Sequence, residues 1–130
     1  MEFPSKEFAE ALCFELNRNE AYRKAARGWR WPILFKVEED GGAGPGFILD
    51  LYEGECRGFK WFDNTSGVTA DYVLSASKDT WLKVIKGELH PMKAILEKKV
   101  RLEKGSYATI ARYTRAALEI VKAARSVLGE

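Results

Sequence analysis

Residues that could act as acids, bases or nucleophiles are scattered along this 130-residue chain. His90 is the only histidine, and it lies between Leu89 and Pro91 at the start of a predicted helix. A Ser-His-Asp hydrolase needs its histidine as a base, but the position of His90 predicts a helix-capping role instead. A zinc site built from one histidine and two distant cysteines is supported even less than the hydrolase.

Two acidic segments and one glycine-rich segment are the other candidates for chemistry. Residues 38–40 (Glu-Glu-Asp) and 53–55 (Glu-Gly-Glu) lie at predicted turns, so we expect solvated charges rather than an acid–base pair. Residues 41–46 (Gly-Gly-Ala-Gly-Pro-Gly) precede a strand, whereas a phosphate cradle needs a following helix. They predict a mobile hairpin turn, and no catalytic residue, metal or cofactor is predicted.

Length and composition predict a single domain over residues 1–130. The 21 basic and 19 acidic residues leave a net charge of +2, too balanced to indicate a nucleic-acid partner. Cys13 and Cys56 match no metal or redox spacing, so we expect reduced thiols and a cytoplasmic location. No secretion signal and no apolar run long enough to cross a membrane is visible.

Patterning predicts two short helices and then a sheet. Ser5 and Asn19 are candidate N-caps of the first two helices. Helical spacing predicts a buried face on each, formed by Phe8, Leu12 and Leu16 in the first and by Tyr22, Ala25, Ala26 and Trp29 in the second. The apolar period then changes to two over residues 33–38, 47–52 and 57–62. Because short turns join these three strands, they predict an antiparallel meander.

The second half predicts alternating strands and helices. A fourth strand over 72–76 leads to a helix capped by Ser77, and Pro91 suits the first position of another helix. Val100 and Leu102 indicate a short fifth strand, and one final helix is expected from about 107 to 127.

The tryptophan and phenylalanine residues could line a ligand cavity or fill a core, because both need the same side chains. A cavity of roughly 300 Å³ would cost on the order of 7 kcal/mol at about 24 cal/mol per Å³. That cost is comparable to the stability of a whole domain, so patterning alone favours the filled core.

The most specific motif is Gly-x-Leu-x-Pro-x-x-Ala, which is Gly87 to Ala94 here. It follows the strand Ala-Asp-Tyr-Val-Leu-Ser-Ala-Ser (70–77) and precedes Val-Arg-Leu-Glu-Lys-Gly (100–105). In order and spacing, residues 70–105 resemble the sterol carrier protein type 2 family. Leu16-Asn17 and residues 22–29 are similar to stand-alone prokaryotic members, while the region after residue 105 is longer and more continuously helical than in the family.

This resemblance implies an α+β fold: a five-stranded, mostly antiparallel sheet covered on one face by helices, with a hydrophobic cavity between them. It implies a non-catalytic protein that binds and transfers a lipid or fatty acyl ligand. The residues expected to line the cavity are Phe35, Leu49, Leu51, Trp61, Leu74, Trp81, Ile85, Met92, Ile95, Ile110, Tyr113 and Val121.

Contact with a membrane surface and two alternative functions, one of them involving a homodimer, stay open from the sequence. Arg112, Arg115, Lys122 and Arg125 on the last helix are expected to form a solvated face, with transient contact to anionic lipid headgroups as the other reading. The same fold with a filled core, acting as a structural or homodimerisation module, is the first alternative. An esterase that depends on His90 is the second.

Overall fold

The computed structural model describes residues 1–129, and a five-stranded sheet is its centre. The strands are β1 (Ile33–Glu38), β2 (Gly46–Tyr52), β3 (Glu55–Phe62), β4 (Tyr72–Ser77) and β5 (Arg101–Lys104). Their order across the sheet is β3-β2-β1-β4-β5. All pairs are antiparallel except β1 with β4, which run parallel. The predicted meander and the mostly antiparallel sheet are confirmed.

Helices make up the rest of the fold. They are α1 (Lys6–Arg18), α2 (Glu20–Ala25), α3 (Lys78–Ile85), α4 (Pro91–Leu96), α5 (Tyr107–Arg112) and α6 (Thr114–Val127). The capping predictions are confirmed, because Ser5, Asn19 and Ser77 each accept a hydrogen bond from the third helical N–H. Such caps satisfy N–H groups that have no partner within the helix.

A connection without helix or strand links the two halves of the sheet. Residues 63–71 join β3 at one edge to β4 beyond β1, and they end beside the start of β1, where the Tyr72 N–H donates to Pro32 O. Two hydrogen bonds from Thr65 to Gly44 O anchor this connection.

The C-terminal helical region is not continuous. The prediction of one helix over 107–127 is wrong, because Tyr113 (φ −109°, ψ 31°) separates α5 from α6. The Tyr113 ring packs edge-on against Trp29, with ring centroids 5.3 Å apart. This tertiary contact turns the chain at Tyr113, and local helical periodicity does not reveal it.

The two cysteines are bonded to each other. The expectation of reduced thiols is wrong: Cys13 of α1 and Cys56 of β3 form a disulfide across 43 residues. The side chain of Asn17 reinforces this junction, because it donates to Cys56 O at 2.9 Å and accepts from Cys56 N at 2.8 Å. The reduced thiols were the main argument for a cytoplasmic location, which stays a prediction.

Candidate functional site

An apolar cavity of about 110 Å³ lies between the sheet and the helices. It is lined from the sheet side by β1, β2 and β4 and from the other side by residues of all six helices. Ten of the predicted residues surround it: Phe35, Leu51, Leu74, Trp81, Ile85, Met92, Ile95, Ile110, Tyr113 and Val121. That these side chains contact a lipid remains a prediction.

Two of the predicted lining residues lie elsewhere. Leu49 is 0% exposed in the core, paired with Ile33 and Phe59 of the neighbouring strands. Trp61 lies on the edge strand β3, and its indole N–H donates to Asp63 Oδ1 at 2.8 Å. Both lie outside the cavity lining, so the candidate site does not contain them.

The N-terminal segment supplies lining residues that the sequence reasoning left out of the site. Phe8 and Leu12 of α1, with Tyr22 of α2 and Trp29 after it, reach the cavity. Their helical spacing did predict that they are buried. The spacing carries no information on which layer they pack against, and the disulfide junction between α1 and β3 was not foreseen.

Aromatic packing fixes the end of the cavity formed by β1 and α3. Phe35 stacks on Phe47 with centroids 5.2 Å apart and meets Trp81 edge-on at 5.9 Å. The Trp81 indole N–H donates to Lys36 O at 2.8 Å, which satisfies its only polar group. This wall therefore presents an apolar surface to the cavity, because the indole N–H of Trp81 already has its partner.

Exposure indicates where the cavity opens. Most lining residues are buried, and seven are half-buried. Five of the seven lie on two helices, namely Pro91 and Ile95 of α4 and Ala117, Ile120 and Val121 of α6, whereas Phe35 and Tyr113 lie elsewhere. We infer that the mouth lies between α4 and α6. At about 24 cal/mol per Å³, a cavity of this volume costs about 3 kcal/mol, which a marginally stable domain can tolerate.

Among residues 1–129, no charged side chain lines the cavity. The ionisable lining residues are tyrosines, and burial raises the pKa of the Tyr22 hydroxyl. An ionised lipid headgroup inside the cavity would therefore have no counter-charge, which is costly. The cavity suits hydrocarbon and uncharged groups.

The other candidate residues have structural roles. His90 Nδ1 accepts from Met92 N–H at 3.1 Å, confirming its capping role and occupying a nitrogen that a base would need. Glu53 accepts from the Gly28 N–H at 2.9 Å and pairs with Arg30 at 2.5 Å. Arg30 and the Gly28 N–H hold the pKa of the Glu53 carboxyl below its usual value. Residues 39–42 form the expected turn.

Two of the four basic residues predicted to form a solvated face on the last helix are bonded to other groups of the protein. The Arg125 guanidinium donates to Ile85 O at 2.8 Å, and Lys122 pairs with Glu119 at 3.5 Å. Arg125 therefore joins α6 to α3. Within residues 1–129, no helix has the length and apolar character needed to cross a membrane.

An open mixed sheet with helices enclosing an apolar cavity is the architecture of a lipid-binding α+β protein. The chain matches the SCP-2 sterol transfer family over residues 10–113, and it belongs to that family. Lipid binding and transfer is accordingly its general function. No curated protein sequence matches the chain significantly.

Solved structures agree with this assignment. A crystal structure of sterol carrier protein 2 is 37% identical, with a TM-score of 0.88, covering 95% of this chain and 98% of that one. A Thermus thermophilus protein described as possibly a sterol carrier protein is 38% identical, with a TM-score of 0.87, covering 98% and 90%. Sterol carrier protein 2 from Aedes aegypti, solved in complex with palmitate, shares the fold at 16% identity, with a TM-score of 0.60, covering 95% and 98%.

Proposed function

We propose that this protein binds and transfers a lipid whose acyl chain, or a similar apolar part, occupies the cavity between the sheet and the helices. The observation that carries the proposal is the apolar cavity itself, which the filled-core alternative does not contain. The palmitate complex of the Aedes aegypti protein supports an acyl ligand for this fold. The proposal gives the chain no catalytic role.

The size of the cavity sets a condition on binding. An apolar cavity of about 150 Å³ accepts a ligand the size of benzene, so about 110 Å³ holds at most a short piece of chain. A palmitoyl chain requires α4 and α6 to move apart. Each methylene buried contributes about 0.8 kcal/mol, which offsets this rearrangement for a long chain.

A matched pair of substitutions tests the proposal. Ala117 is half-buried in the cavity lining on α6, whereas Ala108 on α5 is exposed and outside it. Ala117→Phe places a ring at the mouth, and Ala108→Phe adds the same ring to the surface. Delipidated wild type and both variants are incubated with palmitate and analysed by native mass spectrometry.

We expect a one-palmitate adduct for the wild type and Ala108→Phe, and at least a tenfold smaller bound fraction for Ala117→Phe. Equal adducts in all three proteins would place the lipid outside the cavity. A wild-type chain that takes up no palmitate, yet elutes as a tight dimer, would favour the dimerisation module. The homodimer is otherwise a prediction without a contact to support it.

We further propose transient contact with a membrane surface during transfer. Leu96 is 64% exposed and follows Ile95 at the proposed mouth, near the exposed Lys93, Lys98 and Lys99. Lys93 and Lys99 both pair with Glu97, so these three lysines and one glutamate leave a net positive charge. An apolar side chain among cations suits an anionic lipid surface. Cosedimentation with phosphatidylserine vesicles is expected to fall in Leu96→Ser and in high salt, and equal sedimentation with uncharged vesicles would contradict the proposal.

A further inference from the structure

Within residues 1–129, four side chains of the lining carry a polar group, two indoles and two phenols, and the two indoles are already bonded. The Trp29 indole N–H donates to Trp31 O at 2.7 Å, and the Trp81 indole N–H donates to Lys36 O. Tyr113 is half-buried, and its hydroxyl lies over Gly28. This leaves one deeply buried polar group of the lining to be explained, the hydroxyl of Tyr22.

Tyr22 is held firmly and buried almost completely. It lies in the first turn of α2, where its backbone N–H donates to Asn19 Oδ1 at 2.9 Å. The residue is 1% exposed and lines the cavity. No hydrogen-bond partner of its hydroxyl exists among residues 1–129.

The Tyr22 oxygen has no hydrogen-bond partner within residues 1–129, but it is not completely enclosed. Across the described chain, Ser75 Oγ is the one side-chain polar atom that is both fully enclosed and without a partner. The Tyr22 oxygen is not among the enclosed atoms, so it keeps some accessible surface, and the cavity is the space that the Tyr22 side chain lines. An unpaired buried hydroxyl is costly, and a ligand atom would remove that cost.

We propose that the Tyr22 hydroxyl is the polar anchor of the cavity and binds an uncharged oxygen of the lipid: an ester or ketone carbonyl, an alcohol, or an unionised acid. This inference rests on the proposed function and specifies its ligand class. A phenol both donates and accepts one hydrogen bond, so all four groups fit it. A carboxylate does not fit, because no cation of the described residues lines the cavity to pair with it.

The chemistry of the phenol agrees with a donor role. Burial raises the pKa of the Tyr22 hydroxyl, so the group stays protonated at neutral pH. A lipid with an anionic head is expected to leave that head at the mouth and to insert its tail. A lipid with a neutral oxygen can enter with the oxygen first and reach Tyr22.

Two probes with the same number of heavy atoms separate the anchor from the cavity. Methyl laurate carries an ester, and n-pentadecane carries none. Both are titrated, as competitors of a fluorescent fatty acid, into the wild type, Tyr22→Phe and the control Tyr52→Phe. Tyr52 lies on the surface against Arg57, outside the cavity lining.

We expect Tyr22→Phe to weaken methyl laurate about fivefold to tenfold, the size of one hydrogen bond, and to leave n-pentadecane within twofold. Its thermal midpoint should not fall, since the lost hydroxyl has no protein partner. Tyr52→Phe should change neither affinity. Equal binding of both probes by the wild type and Tyr22→Phe would overturn the anchor but leave the proposed function intact. Failure of the wild type to bind either probe would instead overturn the proposed function.

Discussion

The hydroxyl of Tyr113 lies directly over Gly28, so that a β-carbon at position 28 would be 2.6 Å from the Tyr113 oxygen. Gly28 has φ +94°, a conformation that side chains strongly disfavour. Its N–H donates to Glu53 Oε1. This contact joins the break between α5 and α6 to the turn after α2, and so to two walls of the cavity.

The contact between residues 28 and 113 predicts a partial rescue. Gly28→Ala is expected to lower the free energy of unfolding by about 1–3 kcal/mol, from backbone strain and the clash. Tyr113→Phe in that background removes the clash but not the strain, so part of the loss should be recovered. Urea unfolding of the four proteins of the cycle measures the coupling, and strict additivity would contradict the contact.

The disulfide is expected to contribute strongly to stability. Cys13 and Cys56 close a loop of 43 residues, for which the chain-entropy relation gives about 4 kcal/mol. The double variant Cys13→Ala, Cys56→Ala should lose roughly this amount in urea unfolding. Because Asn17 still clamps the Cys56 backbone, we expect the fold to survive.

A thiol assay checks the same bond without any substitution. Protein purified without reductant and unfolded in urea should show no thiol reactive with Ellman's reagent, and two after reduction. Two reactive thiols before reduction would show that Cys13 and Cys56 are not bonded, and would restore the argument for a reducing compartment.

The Glu53–Arg30 pair predicts a pH dependence with a definite sign. The hydrogen bond from Arg30, then that from Gly28, lowers the pKa of Glu53. A carboxyl whose folded pKa is depressed stabilises the fold above its unfolded pKa of about 4.3 and loses this as pH falls through the folded value. Glu53→Gln should therefore lower the urea midpoint at neutral pH and converge with the wild type as the pH falls below the usual pKa of a glutamate.

Glu55→Gln is the control for this experiment, because Glu55 is an exposed carboxyl two residues from Glu53. It should follow the wild-type pH profile. A Glu53→Gln profile parallel to the wild type at all pH values would show that the ion pair does not contribute.

Ligand binding should also appear as stabilisation. A ligand that binds only the folded state adds about 2.7 kcal/mol at one hundred times its dissociation constant. Palmitate is therefore expected to raise the thermal midpoint of the wild type and of Ala108→Phe. Ala117→Phe should show little shift, and an equal shift in all three proteins would indicate binding elsewhere.

Local sequence signals predicted the elements well and the site only in part. The period-two strands and the caps at Ser5, Asn19 and Ser77 appear as expected, because each depends on neighbouring residues. The break at Tyr113 and the bond between Cys13 and Cys56 depend on residues far apart in the chain, so periodicity carries no information about them.

The same distinction explains why the cavity lining differs from the predicted set. Leu49 lies on the face of β2 that was predicted for it. In the sheet, however, it lies between Ile33 and Phe59, where neighbouring side chains cover it. Tyr22 was predicted to be buried, yet only the packing of α2 against α1 and α6 brings its side chain to the cavity. Burial follows from patterning, whereas the position of the remaining space follows from the packing of layers.

The central claim is that an apolar ligand occupies the space between the sheet and the helices, and the isoleucine methyl groups test it most directly. Five of the six isoleucines line the cavity, namely Ile33, Ile85, Ile95, Ile110 and Ile120, while Ile48 faces the opposite side of the sheet. With ¹³C-labelled palmitate and isotope-filtered NMR, we predict NOEs from the palmitate methylenes to methyl groups of the five and none to Ile48. NOEs confined to Ile48, or absent from all six while palmitate is bound, would contradict the account.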